Sequence, residues 1–279
     1  MLDFLMIDNI ILEGLKEDMP YGDITTNSTI SEDSKCNANL YCKEDGIICG
    51  CTVFSRVFEL IGDVTVSFFV KDGDAVVKGQ KLAVLTGNTR KILQGERIAL
   101  NLMQRMSGIA TTTHTFAEKI KNTNASVVDT RKITPLYRYI DKYSVRCGGG
   151  KNHRYSLSDS ILIKDNHIDA AGGIKNAVTL AKKNASFTTK VEVETESKQD
   201  VLDALDAKAD IIMLDNMTPD MVADMVKLIN GRAIVETSGN ITIDNIYDYA
   251  QTGVDIISVG ALTHSFKVLD KSFKNLTLI

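Results

Sequence analysis

KVEVETESKQDVLDALDAKADIIMLD, residues 190–215, holds one full period of the pattern that decides the fold. Residues 190–193 form a strand run carrying Val191 and Val193, and residues 211–214 form another that is wholly apolar. Between them, residues 198–208 place apolar side chains at helical spacing. Two buried strands joined by a helix run parallel, because a tight hairpin can join only antiparallel neighbours. The same cadence extends outward in both directions. Strand-like runs fall at 126–128, 144–147 and 160–163 upstream, and at 233–235 and 256–259 downstream. Helical patterns occupy 171–184, 219–230 and 242–252. Seven evenly spaced strands alternating with helices predict a closed or nearly closed β/α barrel over residues 111–264.

The first 110 residues read differently. A helix is expected over residues 1–20, followed by turn and cap chemistry at Gly22-Asp23-Ile24-Thr25-Thr26. Short strand runs at 38–43, 46–50, 64–71 and 81–86 alternate with Asp-Gly and Gly-Asp turns, with a helix over 56–61. These predict an N-terminal α/β sandwich over 1–110, on which the tail 265–279 is expected to pack. A long helix over 90–120 follows, broken or kinked near Ser107-Gly108. Residues 71–87, KDGDAVVKGQKLAVLTG, resemble the hammerhead turn of biotinyl and lipoyl carrier domains. A carrier needs its modified lysine exposed at a hairpin tip, whereas here the chain runs straight into the helical start at Gln94-Gly95-Glu96-Arg97, so the likeness is architectural.

The ends of the barrel runs carry the chemistry. They finish at Asp129 with Arg131, Cys147 with three glycines, Lys164, Glu194, Asp215, Glu236 with Ser238-Gly239, and Gly260. The C-terminal ends of barrel strands form the active-site face. Residues 129–167 hold eight Lys/Arg against four Asp in a chain of net charge −4, so this face concentrates cations for a small anionic ligand. Arg131, Lys132, His153, Arg154 and Lys164 are its candidates; arginine reads carboxylate and phosphate bidentately, and lysine acts as a point charge. Glu194 and Asp215 end adjacent runs and are placed to bind Mg²⁺ or ribose hydroxyls. Glu192 faces the same side as Glu194, as a structural carboxylate or a partner to the site. Ser238-Gly239-Asn240 and Gly260-Ala261 sit where barrels bind phosphate through backbone N–H groups.

Composition sets limits on function. A pI near 5.6 argues against general nucleic-acid binding. No apolar run approaches the ~20 residues of a membrane span, and the acidic start lacks signal-peptide character, so a cytoplasmic protein is expected. Five cysteines without a CxxC pair predict reduced, mostly buried thiols. Cys49-Gly-Cys51 lacks a second ligand pair at zinc-like spacing.

Taken in order, TRKITP (130–135), VRCGGGKNHR (145–154), LIKDNHI (162–168), EVE (192–194), LDN (214–216), ETSGN (236–240) and VGALTHS (259–265) resemble the quinolinate phosphoribosyltransferases, the type II phosphoribosyltransferase family. GDITT (22–26) and ERIALNLMQRMSGIAT (96–111) extend the likeness over essentially the whole chain. The resemblance implies an N-terminal sandwich and a partial, open barrel. It also implies a homodimer or larger assembly with shared active sites, and Mg²⁺ with no prosthetic group. The implied reaction joins quinolinate to phosphoribosyl pyrophosphate with loss of CO₂, in NAD biosynthesis. Arg131, Lys132, His153, Arg154 and Lys164 would take quinolinate, with Arg97 donated by a partner subunit. Glu194 and Asp215 would address ribose and Mg²⁺, and Ser238, Gly239, Asn240, Gly260 and Ala261 the phosphate. Lys132, Lys164, Glu194 and Asp215 would be catalytic. Leu136 stands where the family usually has glycine, which is expected to reshape that loop. A related transferase with a different acceptor would keep the phosphate residues and change the cationic pocket.

Overall fold

The structure, a computed structural model, describes residues 2–279. In chain order the elements are α1 (Phe4–Asp18), α2 (Ile24–Thr29), β1 (Lys35–Cys42), β2 (Gly46–Ile47), α3 (Cys51–Ile61), β3 (Val64–Phe68), β4 (Ala75–Val76), β5 (Lys81–Asn88) and α4 (Thr89–Ile120). Next come β6 (Ser126–Val128), α5 (Arg138–Cys147), β7 (Ile161–Ile163), α6 (Asp165–Ala171), α7 (Ile174–Asn184), β8 (Val191–Thr195) and α8 (Lys198–Asp206). The chain ends through β9 (Ile211–Asp215), α9 (Pro219–Ile229), β10 (Ile234–Ser238), α10 (Ile246–Ala250), β11 (Ile256–Ser258), α11 (Ala261–His264) and β12 (Lys271–Leu278).

These fall into two units. The first runs to His114 and includes Thr134–Gly149 and Ser265–Ile279; the second comprises Thr115–Ile133 and Gly150–His264. The stretch 134–149, read from sequence as part of the barrel, thus groups with the first unit.

In the first unit, β12-β1-β5-β3 form a sheet whose neighbours are antiparallel. Along β1, Cys36, Ala38, Leu40 and Cys42 point inward at the two-residue period and are all buried. The terminal strand β12 pairs with β1 along most of its length. α1 starts at Asp3, whose carboxylate accepts the Leu5 N–H, and it buries Ile7, Ile11 and Leu15 at four-residue spacing. Phe54 on α3 packs on Phe58, Phe68 and Phe273 with ring centroids 5.3–5.9 Å apart. Truncating such a fully buried ring costs about 3–5 kcal/mol.

Two expectations need correction. α4 is unbroken at Ser107-Gly108. Gly108 serves close approach instead: a Cβ there would lie 2.4 Å from the Lys267 carbonyl oxygen. The 144–147 run is also not a strand but the last turn of α5, where the Ser144 hydroxyl donates to the Ile140 carbonyl one turn back. A four-residue run satisfies both periods, and the helix wins because Ile140, Asp141, Ser144 and Val145 then share a buried face.

The second unit is built on six parallel strands in the order β6-β11-β10-β9-β8-β7, rather than the seven expected. A single parallel bridge from Val128 to Lys151 extends beyond β6. Residues on both faces of β8, β9 and β10 are buried, as a sheet covered by crossover helices requires. The expected α/β class is the one observed: the first unit holds an antiparallel sheet and the second a parallel, helix-covered one.

Candidate active site

Register aligns the strand ends of the second unit. Met213 pairs with Glu194 on one side and Glu236 on the other, and Asp215 pairs with Ser238. By the two-residue period, Glu192 and Glu194 face one side of the sheet, as do Glu236 and Ser238. Above these ends lies a cavity of about 440 Å³. Its lining includes Arg131, Lys132, His153, Arg154, Lys164, Glu194, Asp215 and Ser238, eight residues singled out from sequence. Thr130, Leu162, Asp165, Met213, Glu236 and Ser258 complete it.

The cationic wall is short of partners. Arg131 Nε is buried and makes no hydrogen bond. Arg154 donates from Nη1 to the Ser160 carbonyl at 3.1 Å. Burial, and then the neighbouring Arg131 charge, pull its pKa down. Two guanidiniums held close in one cavity call for a ligand with more than one negative charge. Lys132 is fixed by its backbone: its N–H donates to Thr130 Oγ1, and its carbonyl accepts from Thr263 Oγ1 of α11 at 2.9 Å. Lys164 forms an ion pair with Glu194 across the cavity floor.

Beside these sits a buried triad. His153 Nε2 is 3.3 Å from a Glu192 oxygen and 3.5 Å from a Glu236 oxygen, and both carboxylates are nearly fully buried. Burial opposes a charged ring, but the hydrogen bond with Glu192 and the charges of both glutamates outweigh it and push His153 up to about 10. Burial in turn raises Glu192. His153 Nδ1 accepts the Arg154 N–H at 2.7 Å. Both ring nitrogens are therefore committed to protein groups. Below this, fully buried Asp129 accepts from Asn152 Nδ2 and from the His153 N–H, each at 2.8 Å. It pins the turn that presents Arg154.

The remaining sequence candidates lie elsewhere. Gly239, Asn240, Gly260 and Ala261 do not line the cavity. Gly239 has φ +94°, and a Cβ there would strike Asn216 Oδ1 at 2.2 Å; Asn240 Nδ2 donates to the same oxygen at 3.2 Å. A Cβ on Gly260 would lie 2.9 Å from His264 Nε2 and 3.3 Å from Lys132 Cδ, so that glycine leaves room for both side chains. Arg97 is in the first unit, on α4, beside Glu17, Asn101 and Tyr137. Leu136, the expected departure, has a left-handed backbone at φ +72° and is 86% exposed.

Sequence reading gave Glu236 and Asp129 no role beyond ending strands. Their importance comes from partners distant in sequence. For Glu236, an acidic residue in an apolar strand run was the available signal.

Comparison with known proteins agrees with this geometry. Residues 23–107 match the family profile described as quinolinate phosphoribosyl transferase, N-terminal domain, and residues 109–274 match the corresponding C-terminal domain. The chloroplastic nicotinate-nucleotide pyrophosphorylase (carboxylating) of Arabidopsis thaliana is 43% identical, covering 95% of this chain and 81% of that protein. The crystal structure of NadC from Streptococcus pyogenes superposes with a TM-score of 0.97 at 41% identity, covering 100% and 99% of the two chains. That of the Francisella tularensis nicotinate-nucleotide pyrophosphorylase gives 0.95 at 38% identity, covering 99% and 98%. With both domains matched in order along a shared fold, the chain belongs to the quinolinate phosphoribosyltransferase family.

Proposed function

We propose that this chain transfers phosphoribose from phosphoribosyl pyrophosphate to quinolinate and decarboxylates the adduct, giving nicotinate mononucleotide, pyrophosphate and CO₂ in NAD biosynthesis. The observation that carries the acceptor assignment is the Arg131–Arg154 pair, with an unpartnered buried Nε on Arg131, in one cavity with Lys132 and Lys164. A pyridine with two adjacent carboxylates satisfies that charge, whereas a monocarboxylate leaves one half-buried guanidinium without an anion.

The chemistry follows from charge. The pyridine nitrogen bonds to ribose C1 as the C1–O bond to pyrophosphate breaks, and positive character develops at C1. Glu194 and Asp215, at neighbouring strand ends on the cavity wall, face the ribose in this assignment. Their hard oxygen donors suit Mg²⁺, and they would hold it with the substrate's phosphates; bound there, it would neutralise charge on the departing pyrophosphate. N-alkylation turns the ring into a pyridinium. The carbon bearing the 2-carboxylate adjoins this positive nitrogen, so the electron pair left when CO₂ departs is stabilised in place. A proton then replaces the carboxylate. Lys164, paired with Glu194 at the cavity, is the cation placed to move between the two charges as they change. His153, between the carboxylates of Glu192 and Glu236, contributes positive charge to this wall. The ribose 5′-phosphate is assigned to Ser238, Gly239, Asn240, Gly260 and Ala261, and Arg97 to a neighbouring subunit in a homodimer.

Calorimetric titration tests the acceptor assignment. Quinolinate should bind at least tenfold more tightly than nicotinate. Arg131→Ala should abolish that preference while leaving phosphoribosyl pyrophosphate binding within a few-fold. Equal loss of both ligands would place Arg131 on the phosphates instead.

A further inference from the structure

Outside this cavity, the first unit holds a cluster of reactive groups that the transferase chemistry does not use. Cys49, just before α3, is fully buried, while Cys147, the last residue of α5, is partly exposed. Their sulfurs and a carboxylate oxygen of Asp72 all lie within 4.8 Å of one another. The surroundings are rigid. Ser107 Oγ accepts the Cys49 N–H and donates to its carbonyl, at 3.0 and 2.9 Å. Asp72 accepts the Gly50 and Cys51 N–H groups on one oxygen and the Tyr143 hydroxyl on the other, each at 2.8 Å. Gly148, directly after Cys147, is packed so closely that a Cβ would lie 2.3 Å from the Ala110 carbonyl oxygen. Both cysteines are therefore held where they are.

We propose that Cys147 and Cys49 form a reversible dithiol–disulfide pair, oxidised by a hydroperoxide, with Cys147 attacking and Cys49 resolving. Exposure separates the roles, since only Cys147 meets solvent. Their acidities separate in the same direction. The neighbouring Cys49 thiol pulls the Cys147 thiol down, against burial and the Asp72 charge, while burial pushes Cys49 up. An accessible, thiolate-prone sulfur next to a buried partner is the arrangement that peroxide oxidation selects.

In the first step, the Cys147 thiolate forms an S–O bond as the peroxide O–O bond breaks; the departing hydroxide takes up the proton that Cys147 released and leaves as water. In the second, the Cys49 sulfur attacks the sulfenic sulfur and an S–S bond forms. The S–O bond breaks, and hydroxide leaves as water with the Cys49 proton. The two sulfurs lose two electrons in total, and the peroxide gains them. A bound metal fits less well. Both Asp72 oxygens are already engaged, and the cluster offers three ligands where zinc takes four.

The test treats the intact native protein with equimolar hydrogen peroxide, alkylates the remaining thiols and maps peptides without reduction. Free thiols should fall from five to three, with a Cys49–Cys147 cross-linked peptide, and dithiothreitol should restore all five. Cys49→Ser should leave Cys147 as a sulfenic acid trapped by dimedone, and Cys147→Ser should keep its four thiols at the same dose. Should a variant misfold, the wild-type map still decides. Five surviving thiols, a cross-link between other cysteines, or stoichiometric zinc protecting both sulfurs would overturn the proposal.

Discussion

Replacing Glu236 with glutamine probes the least ordinary feature of the site, a histidine between two buried carboxylates. The move of His153 from 6.5 to about 10 corresponds to about 5 kcal/mol in favour of the imidazolium. One contact opposes it. A protonated Nδ1 has no lone pair for the Arg154 N–H, and losing that bond with the donor still buried costs about 1–3 kcal/mol. The carboxylates win by about 2 kcal/mol or more, so the ring is a cation at neutral pH. Because the folded value lies above the unfolded one, this stabilisation is complete below pH 6.5 and is lost as pH rises from there towards about 10. Glu236→Gln keeps shape but removes one of the two charges, and roughly half the gain, about 2 kcal/mol, should go with it. Long-range ¹H–¹⁵N spectra of the imidazoles, with His153→Gln assigning the signal among four histidines, report charge and tautomer directly. The wild-type ring should be doubly protonated at pH 7.5, and the Glu236→Gln ring substantially neutral. A wild-type ring that is neutral at pH 7.5, with its proton on Nε2, would refute the reasoning.

Further predictions concern positioning and assembly. Asp129→Asn should lose about 2–4 kcal/mol of stability and raise the KM for quinolinate more than that for phosphoribosyl pyrophosphate, since Asp129 anchors the turn carrying Arg154; urea melts and steady-state kinetics check both. Leu136→Gly should be more stable than Leu136→Ala by about 1 kcal/mol, because the side chain packs on little while its left-handed backbone costs ~1–2 kcal/mol in any L-residue; paired denaturation curves decide. Mixing inactive Arg97→Ala and Arg131→Ala proteins should restore activity through hybrid dimers that keep one intact site. No recovery after proven subunit exchange would contradict the sharing of sites.

Much of this architecture was legible because it depends on periodicity and on strand ends. Glu194 and Asp215 close apolar runs, and parallel strands deliver such ends to one face. What the sequence hid depends on partners far along the chain. The helix α5 is held by buried Asp141, whose two oxygens accept from Arg105 at 2.8 and 2.7 Å, a pairing that no local pattern announces. Gly108 resembles a helix breaker until the Lys267 backbone is seen against it. Leu136 shows the reverse case. The local sequence gives no sign that this leucine sits in the left-handed backbone region that favours glycine. The His153–Glu192–Glu236 triad joins three segments whose individual residues look like ordinary buried polar groups.

Decarboxylation coupled to transfer is the central claim, and carbon labelling tests it most directly. Protein, Mg²⁺, phosphoribosyl pyrophosphate and quinolinate labelled with ¹³C in its 2-carboxylate should yield labelled CO₂ and unlabelled nicotinate mononucleotide in equal amounts, with no turnover of nicotinate under the same conditions. Nicotinate turnover without quinolinate turnover, or a nucleotide that retains the label, would contradict the account.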